Sequence, residues 1–350
     1  MRSAAVSEPG KIGIVELAVP RPGPYEALVR SEIAFICNAT DRKLVAGHFP
    51  GIGRDAYPLL LGHETVGRVV EVGSKVRSFS IGDRVLGGLV LKPQGYGSGW
   101  GGDSEYVLAA DHEAMAADGV ADEAHGWVEV YRIMRAVPED IPVEAAGLLA
   151  TWREVYAGFA DFRLGSGDDI LIFGGGPVGL SFCRFAKLLG LGWVGVVDTL
   201  PFKREKALAM GADAVFEPED PAIAALAGTR GKALDAVVDA VGSEKVVNAA
   251  LPLIRLGGSV CVYGVLAGES LNVAKGTGPY NFNLYMHQWP TREAEAQAQE
   301  PLIEWIRSGA LRHRDFVSGE YELGDIAEAL AATEKPSSIK TMLRFGEVAR

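Results

Sequence analysis

Short apolar runs separated by glycine and proline dominate the first part of the chain. Between residues 12 and 150 these runs are rich in β-branched side chains, as in Glu26–Ile33 and Val66–Val72. Such runs are typical of strands, and the Gly and Pro positions between them mark turns. This part of the chain is therefore predicted to be mostly β.

The pattern becomes helical near Val143 and alternates from Asp169 onward. Apolar strand-like runs then alternate with helical patterns of about 10–15 residues, which is the signature of βαβ units in a parallel sheet. One of the predicted helices contains Arg204–Met210 and stops at Gly211. The predicted consecutive strands are Ile170–Phe173, Val194–Val197, Ala214–Phe216, Ala236–Val238 and Ser259–Tyr263. The fold class is therefore predicted to be α/β.

Length, charge and cysteine content narrow the class of protein. A chain of 350 residues, 48% apolar, is expected to form two domains at roughly 150 residues each. Its net charge of −11, without long runs, argues against nucleic acid or an anionic membrane as the main partner. No run approaches the ~20 apolar residues of a membrane span, and the first residues lack the apolar block of a secretory signal. Three widely spaced cysteines, Cys37, Cys183 and Cys261, favour a reducing cytoplasm.

A glycine-rich turn follows the first strand of the alternating region. In Ile170–Leu180, Gly174 allows a tight turn, Gly176 lets the backbone approach phosphates, and Gly179 allows close packing of helix on strand. The N–H groups at the start of the following helix provide an anion site. This pattern alone is weak evidence, but a second apolar run ends in Asp198, where a carboxylate would bind ribose hydroxyls. A nicotinamide dinucleotide site is therefore predicted.

The residues after the second strand bear on the choice of nucleotide. A carboxylate at Asp198 repels a 2′-phosphate and favours NAD, whereas the nearby Lys203 and Arg204 leave NADP open. The turn after Asp239 and the strand end at Val265 are expected to line the same cleft, although packing explains them equally well. The predicted cofactor-binding residues are Gly174, Gly176, Pro177, Val178, Gly179, Asp198, Lys203, Val241 and Val265.

Two segments do not fit the regular pattern. Gly276–Trp289 is polar and aromatic and is interpreted either as a functional loop or as a solvated loop that covers the end of the sheet. An acidic stretch within residues 118–131 is expected to be a surface insertion.

Cys37 and the neighbouring pair His63 and Glu64 could bind a metal. A thiolate, an imidazole and a carboxylate form a typical Zn²⁺ ligand set, and an open fourth position lets the ion polarise an alcohol oxygen. The alternatives are a small buried hydrophobic cysteine and a simple hydrogen-bonded His–Glu pair.

The order of these motifs along nearly the whole chain resembles the medium-chain dehydrogenase/reductase superfamily, and within it the zinc-dependent alcohol and polyol dehydrogenases. The motifs are Cys37, the run Gly62–Val69, the run Gly101–Tyr106 and the glycine turn. The resemblance implies a GroES-like β-rich catalytic domain, 1–150 and 295–350, and a Rossmann domain with a doubly wound parallel sheet, 151–294. It also implies a homodimer or homotetramer.

The resemblance further implies residue roles. Cys37, His63 and Glu64 would be zinc ligands, and Thr40 would pass the alcohol proton outward to His48. The chain departs from the family pattern in one extra residue between Cys37 and Thr40, and in Leu149 at the third-ligand position.

Leucine cannot bind zinc, so Glu154 or water is expected to complete the ligand set. The segment around Thr40 and the one after Leu149 also resemble the bacteriochlorophyllide dehydrogenase-like branch, in which the metal pattern is eroded.

Polar and aromatic residues suggest the substrate class. Trp152, Tyr280 and His287 combine aromatic planes with hydrogen-bonding groups, which suits a polyol, sugar or cyclitol. The leading hypothesis is zinc- and NAD-dependent interconversion of a secondary alcohol and its ketone. Two alternatives stay open: a zinc-free NAD(P)H-dependent reductase of the same superfamily, and a non-catalytic nucleotide-binding protein.

Overall fold

The computed structural model describes residues 1–266, 268 and 270–346. The chain divides into two compact units, Met1–Ala150 with Gln299–Arg350, and Thr151–Ala298. Among the described residues, no helix is long and apolar enough to cross a membrane.

The first unit is β-rich and contains two sheets. A four-stranded sheet has the order β2-β1-β4-β7, and a seven-stranded sheet has the order β16-β17-β3-β5-β6-β9 with β8 paired to β3. The strands are β1 Arg2–Glu8, β2 Lys11–Glu16, β3 Glu26–Ile36, β4 Leu59–Leu60, β5 Thr65–Val72, β6 Arg84–Leu86, β7 Gly97–Ser98, β8 Tyr106–Ala110, β9 Arg135–Val137, β16 Val317–Glu322 and β17 Lys340–Arg344. Its helices are α1 Thr40–Ala46, α2 His112–Ala117, α10 Gln299–Arg307 and α11 Ile326–Ala332. The predicted β character of this part of the chain is confirmed.

The core of the first unit forms two apolar clusters. One includes Val29, Val69 and Val107 from the larger sheet, and the other packs Ile36 and Leu343 against α11. Pairing of β3 with both β5 and β17 therefore places the end of β3 at the centre of the unit.

The second unit is a parallel sheet with helices. Its six strands have the order β12-β11-β10-β13-β14-β15, and every neighbouring pair is parallel. The strands are β10 Ile170–Phe173, β11 Val194–Val197, β12 Ala214–Phe216, β13 Leu234–Asp239, β14 Ile254–Val262 and β15 Asn283–Met286. The helices are α4 Pro177–Leu188, α5 Pro201–Ala209, α6 Pro221–Ala224, α7 Leu226–Arg230, α8 Glu244–Ala250 and α9 Arg292–Gln297, and α3 Val143–Asp161 carries the chain from the first unit into the second. The predicted α/β class is confirmed.

Two irregular segments have structural roles that the sequence pattern did not show. Asn283–Met286, inside the segment interpreted as a loop, forms the edge strand β15. In the 118–131 insertion, the Trp127 indole N–H donates to Nδ1 of His112 at 3.0 Å, so the insertion is fastened to α2.

Candidate active site

Cys37, His63 and Glu64 come together because β3 and β5 pair antiparallel. Ala34 lies opposite Thr65, and the Phe35 N–H donates to the Glu64 carbonyl at 3.0 Å. Cys37 at the end of β3 is thereby placed beside the two residues that precede β5. One potential ligand atom from each of the three side chains lies within 4.8 Å of the others. We call these three residues the ligand group.

Asp41 lies behind the ligand group, in the first turn of α1. Its Oδ2 accepts a hydrogen bond from the Cys37 N–H at 2.7 Å, and its Oδ1 lies 3.6 Å from His63 Nδ1. The other ring nitrogen, Nε2, lies 3.8 Å from Glu64 Oε1. The Asp41 carboxyl group thus holds the backbone of Cys37 and faces the ring of His63 from beyond hydrogen-bond distance.

Glu64 has a buried cationic partner from the far end of the chain. Lys340 begins β17, is 2% exposed, and places Nζ 2.6 Å from Glu64 Oε1. Burial would lower the pKa of Lys340, but the charges of Glu64 and Cys37 raise it, so the ammonium stays charged.

The charges around the ligand group also shift the pKa values of other side chains. Burial would lower the pKa of His63, but the hydrogen bond to Cys37 and the charge of Asp41 outweigh it and raise the pKa to about 10. Burial raises the pKa of Asp41. Burial and the charge of Asp41 hold the pKa of Asp103 well above its usual range. These shifts share one cause, which is that acidic and basic side chains are packed together away from water.

The ligand group fits a divalent metal. The ligand group itself contains the Glu64 carboxyl and the Cys37 thiol, and the carboxyl groups of Asp41 and Asp103 lie near it. The ammonium of Lys340 is bound to Glu64. Within the described ranges, Asp41 Oδ1, His63 Nδ1 and Asp103 Oδ1 are buried without a hydrogen-bond partner. Buried acidic groups of this kind are stabilised by a bound cation, and sulfur, nitrogen and oxygen donors suit zinc.

An aromatic residue, Trp100, lies beside His63 and contacts a second aromatic ring. The ring of Trp100 lies 5.4 Å from the His63 ring and meets Phe49 edge-on at 5.7 Å. Trp100 has a φ of 72°, in the left-handed region that side chains other than glycine rarely adopt. Backbone in this region often marks functional sites, and here it turns a large apolar surface toward a residue of the ligand group.

Thr40 and His48 lie at the two ends of α1. Thr40 is buried at its first position, and His48 is exposed just beyond Gly47, which ends the helix with φ 74°.

The predicted glycine turn joins β10 to α4 in the second unit. Gly174 has a φ of 101°, and a Cβ on Gly179 would lie 1.7 Å from the Gly174 carbonyl oxygen. α4 begins at Pro177 directly after Gly176, with Val178 and Gly179 in its first turn. The free N–H groups of this helix end provide the anion site that a pyrophosphate requires.

Asp198 is held at the end of β11 against this turn. Its Oδ2 accepts from the Gly175 N–H at 2.6 Å, and its Oδ1 accepts from the Leu200 N–H at 2.8 Å. A cavity of about 430 Å³ opens beside it. The residues that line the cavity include Gly174, Gly176, Asp198, Thr199, Lys203 and Val241.

The basic residues near Asp198 are partly engaged elsewhere. The Arg204 guanidinium donates to the carbonyls of Asp198 and Thr199 and to Glu217 Oε1, at 2.8–3.1 Å. The neighbouring groove is lined by the acidic residues Glu217, Glu219 and Asp220 and by Lys245. Acidic and basic side chains therefore both lie close to Asp198.

The turn after β13 supports the same edge of the sheet. Asp239 accepts from the N–H groups of Val241, Gly242 and Ser243 at 2.8–2.9 Å. A Cβ on Gly242 would lie 2.5 Å from the carbonyl oxygen of Val265, so the two strand ends touch. Of the two predicted residues, Val241 lines the cavity, and Val265 braces the turn.

The structure does not support Glu154 as a metal ligand. Its carboxylate lies 3.5 Å from Arg292 Nη1 in the second unit, and it is outside the ligand group. Leu149, at the third-ligand position, is fully buried. The structure does not bring Glu154 together with the ligand group, and its role as a replacement ligand stays a prediction.

The predicted substrate residues do not form one surface. Trp152 is completely buried, whereas Tyr280 is completely exposed. His287 lies with Nδ1 3.6 Å from Asp161 Oδ2 and its ring against Phe162. Trp152 is thus shielded from solvent and Tyr280 is on the outer surface, so the structure does not bring these residues together.

Four residues of the site were missed by sequence reasoning: Asp41, Trp100, Asp103 and Lys340. A lone lysine inside the apolar run Ile339–Leu343 is a signal for a buried ion pair, and Asp41 follows Cys37 by four residues. Trp100 and Asp103 stand in a glycine-rich segment whose pattern indicates only a turn.

Comparison with known proteins agrees with this geometry. The alcohol dehydrogenase GroES-like domain matches residues 23–119, and the zinc-binding dehydrogenase family matches residues 177–297. The NADP-dependent isopropanol dehydrogenase of Thermoanaerobacter brockii is 30% identical over 272 residues, 74% of each chain. The D-arabitol-phosphate dehydrogenase of Enterococcus avium is 27% identical and covers 98% of this chain and 97% of its own.

A solved structure shows the same fold. That of 2R,3R-butanediol dehydrogenase from Bacillus subtilis superposes with a TM-score of 0.81 at 20% identity, over 98% of this chain and 99% of that one. The chain therefore belongs to the zinc-binding alcohol dehydrogenases of the medium-chain dehydrogenase/reductase superfamily.

Proposed function

We propose that this protein is a zinc- and NAD-dependent dehydrogenase of secondary alcohols, with the first unit as catalytic domain and the second as NAD-binding domain. The observation that carries the proposal is the ligand group: Cys37, His63 and Glu64 within 4.8 Å of one another, with buried unpartnered polar atoms around them. When bound, a zinc ion polarises the alcohol oxygen and a nicotinamide accepts the hydride.

The chain's own residues have separable tasks in this scheme. Cys37, His63 and Glu64 hold the metal, and Asp41 and Lys340 orient them. Thr40, three residues beyond Cys37, would take up the alcohol proton while its own hydroxyl proton moves on toward solvent. His48, beyond the other end of α1, is exposed and would exchange that proton with water.

We propose NAD rather than NADP because of the charges near the ribose position. Asp198 is fixed by two backbone N–H groups, and Glu217 engages Arg204. Lys203 also lines the cavity, and its positive charge would attract a 2′-phosphate. The proposed preference for NAD therefore depends on repulsion of that phosphate by the Asp198 carboxylate.

For the substrate, we propose a secondary alcohol with an apolar substituent. The expected preference for a polyol, sugar or cyclitol rested on polar and aromatic residues, among them Trp152, Tyr280 and His287, and these three do not share a surface. In contrast, the ring of Trp100 lies beside His63, and Phe49 packs against Trp100. Apolar contact with such rings favours alkyl or aryl groups over hydroxyl-rich chains.

Metal analysis and a coupled substrate screen test the proposal. The purified protein is expected to contain zinc and to reduce NAD with 2-butanol or 1-phenylethanol much faster than with sorbitol or inositol. Activity should be lost on chelation and return with Zn²⁺. If chelated, zinc-free protein retained full turnover, the metal role would be excluded. A sorbitol preference would exclude only the substrate class.

A second candidate is the zinc-free NAD(P)H-dependent reductase. The observation in its favour is buried Leu149 where the family supplies a third ligand, together with the engagement of Glu154 by Arg292. Ketone or enone reduction that is unaffected by chelation would identify it.

We also propose a cytoplasmic homodimer or homotetramer, which fractionation and light scattering can test.

A further inference from the structure

Asp103 is a buried acidic residue that the proposed reaction does not use. It is 1% exposed, and its Oδ1 has no hydrogen-bond partner within the part of the chain that is described. A Cβ on Gly62 would lie 2.3 Å from the Asp103 carboxyl carbon and from Oδ1. The carboxyl group therefore lies directly against the backbone of the residue that precedes His63.

A carboxyl group in this position needs a compensating positive charge or a proton. Burial of a carboxylate without a partner is unfavourable, because the protein must replace its hydration. The ammonium of Lys340 is already bound to Glu64, and the nearby Asp41 adds negative charge. A divalent cation held by the ligand group would add positive charge near this carboxyl group.

The same site lacks the third protein ligand that the family resemblance implies. Leu149 stands where the family resemblance implies a Cys, Asp or Glu, and it is fully buried. The ligand group therefore offers the metal a smaller negative charge than three ligands and an exchangeable glutamate would.

We propose that Asp103 is a positioning residue that replaces this charge. Although it is outside the ligand group, Asp103 supplies a negative charge that Leu149 cannot supply. Its carboxyl group also packs against the Gly62 backbone and so helps to hold His63 in position to bind the metal. This inference rests on the proposed zinc site. Its consequence is tighter zinc binding, with no contact between Asp103 and substrate.

The substitution Asp103→Asn in the full chain tests the proposal, because it removes the charge and keeps the shape. The Kd for Zn²⁺, measured by competition with a chromophoric chelator, is expected to rise about 10- to 100-fold. The melting temperature of the metal-free protein is expected to stay equal or rise, since a buried carboxyl without a partner is removed. The matched control is Glu105→Gln, two residues further on, whose carboxylate binds Arg2. Its Kd should match that of the wild type.

Each other result would overturn the inference. A Kd for Asp103→Asn less than tenfold above that of the wild type would show that the charge is not needed. A weaker Kd together with a lower melting temperature of the metal-free variant would make Asp103 a purely structural residue. If the wild-type protein bound no zinc, the proposed function would fall as well, so the two failures are distinguishable.

Discussion

Asp198 shows how one side chain can serve structure and selectivity at once. Its two oxygens accept from Gly175 and Leu200, which shapes the glycine turn, and its charge faces the ribose position. Because the backbone contacts need only acceptor atoms, the charge is the part available for selecting the nucleotide.

We expect Asp198→Asn to shift the ratio of kcat/KM for NAD over NADP toward NADP by at least about tenfold, or ~1.4 kcal/mol. The physical reason is that the amide no longer repels a 2′-phosphate, although its single oxygen can keep only one of the two backbone contacts. Steady-state kinetics with both nucleotides measure the ratio. Asp213→Asn, before β12, is the control and should leave the ratio unchanged. A wild-type enzyme that already preferred NADP would contradict the prediction.

Lys340 has a different kind of importance, because its partner is also buried. Lys340→Met should lower the free energy of unfolding by about 3–5 kcal/mol, since it leaves the Glu64 carboxylate buried without its cation. Urea denaturation measures the loss, and Lys340→Arg should recover part of it. Lys11→Met, which removes an exposed pair with Glu8, should show no measurable change. Equal stability of Lys340→Met and wild type would disprove the role.

At the scale of elements, the contact between β10 and α4 depends on the absence of a side chain at residue 179. The helix starts so close to the strand that its third residue touches the Gly174 carbonyl. That contact sets the direction of the helix end toward the pyrophosphate position.

Gly179→Ala is therefore expected to weaken NADH binding and to lower the free energy of unfolding by ~1–3 kcal/mol, because the added methyl group overlaps the carbonyl. Gly228→Ala in α7 is the matched control. A Cβ there meets no atom within 4 Å, so stability should rise by about 0.4–1 kcal/mol. Fluorescence titration and urea denaturation measure both effects, and unchanged NADH affinity in Gly179→Ala would refute the argument.

Elements also show which features the sequence could reveal. The glycine turn was predictable because Gly174, Gly176 and Gly179 are local in sequence and each has a distinct steric task. β15 was not predictable, since Asn283–Met286 is a short, partly exposed edge strand within a longer polar and aromatic stretch. Its hydrogen bonds to β14 decide its conformation.

At the scale of the whole molecule, each proposed site is built from residues of its own unit. The ligand group, Asp41, Asp103 and Lys340 belong to the first unit, and the glycine turn and Asp198 belong to the second. Cys37, His63 and Glu64 could be nominated from sequence because their side chains have metal chemistry. Lys340 and Asp103 could not, because only the folded chain brings them near Glu64 and Gly62.

Removal of the metal should therefore abolish catalysis but leave nucleotide binding largely unchanged. Chelation is expected to abolish alcohol oxidation while the Kd for NADH changes less than about threefold, because no residue of the ligand group belongs to the nucleotide cavity. Fluorescence titration of NADH before and after dialysis against a chelator measures this. A large loss of NADH affinity on chelation would contradict this prediction. The control is an unrelated dehydrogenase treated with the same chelator, which shows whether the chelator itself affects the NADH titration.

The pairing of Lys340 with Glu64 spans 276 residues. During synthesis, the ribosome therefore releases His63 and Glu64 long before the strand that neutralises Glu64 emerges. A nascent chain can expose its thiol and imidazole, yet it lacks the ammonium that completes their surroundings. Loading of the ion into its final environment must therefore wait until the β17 segment has been synthesised.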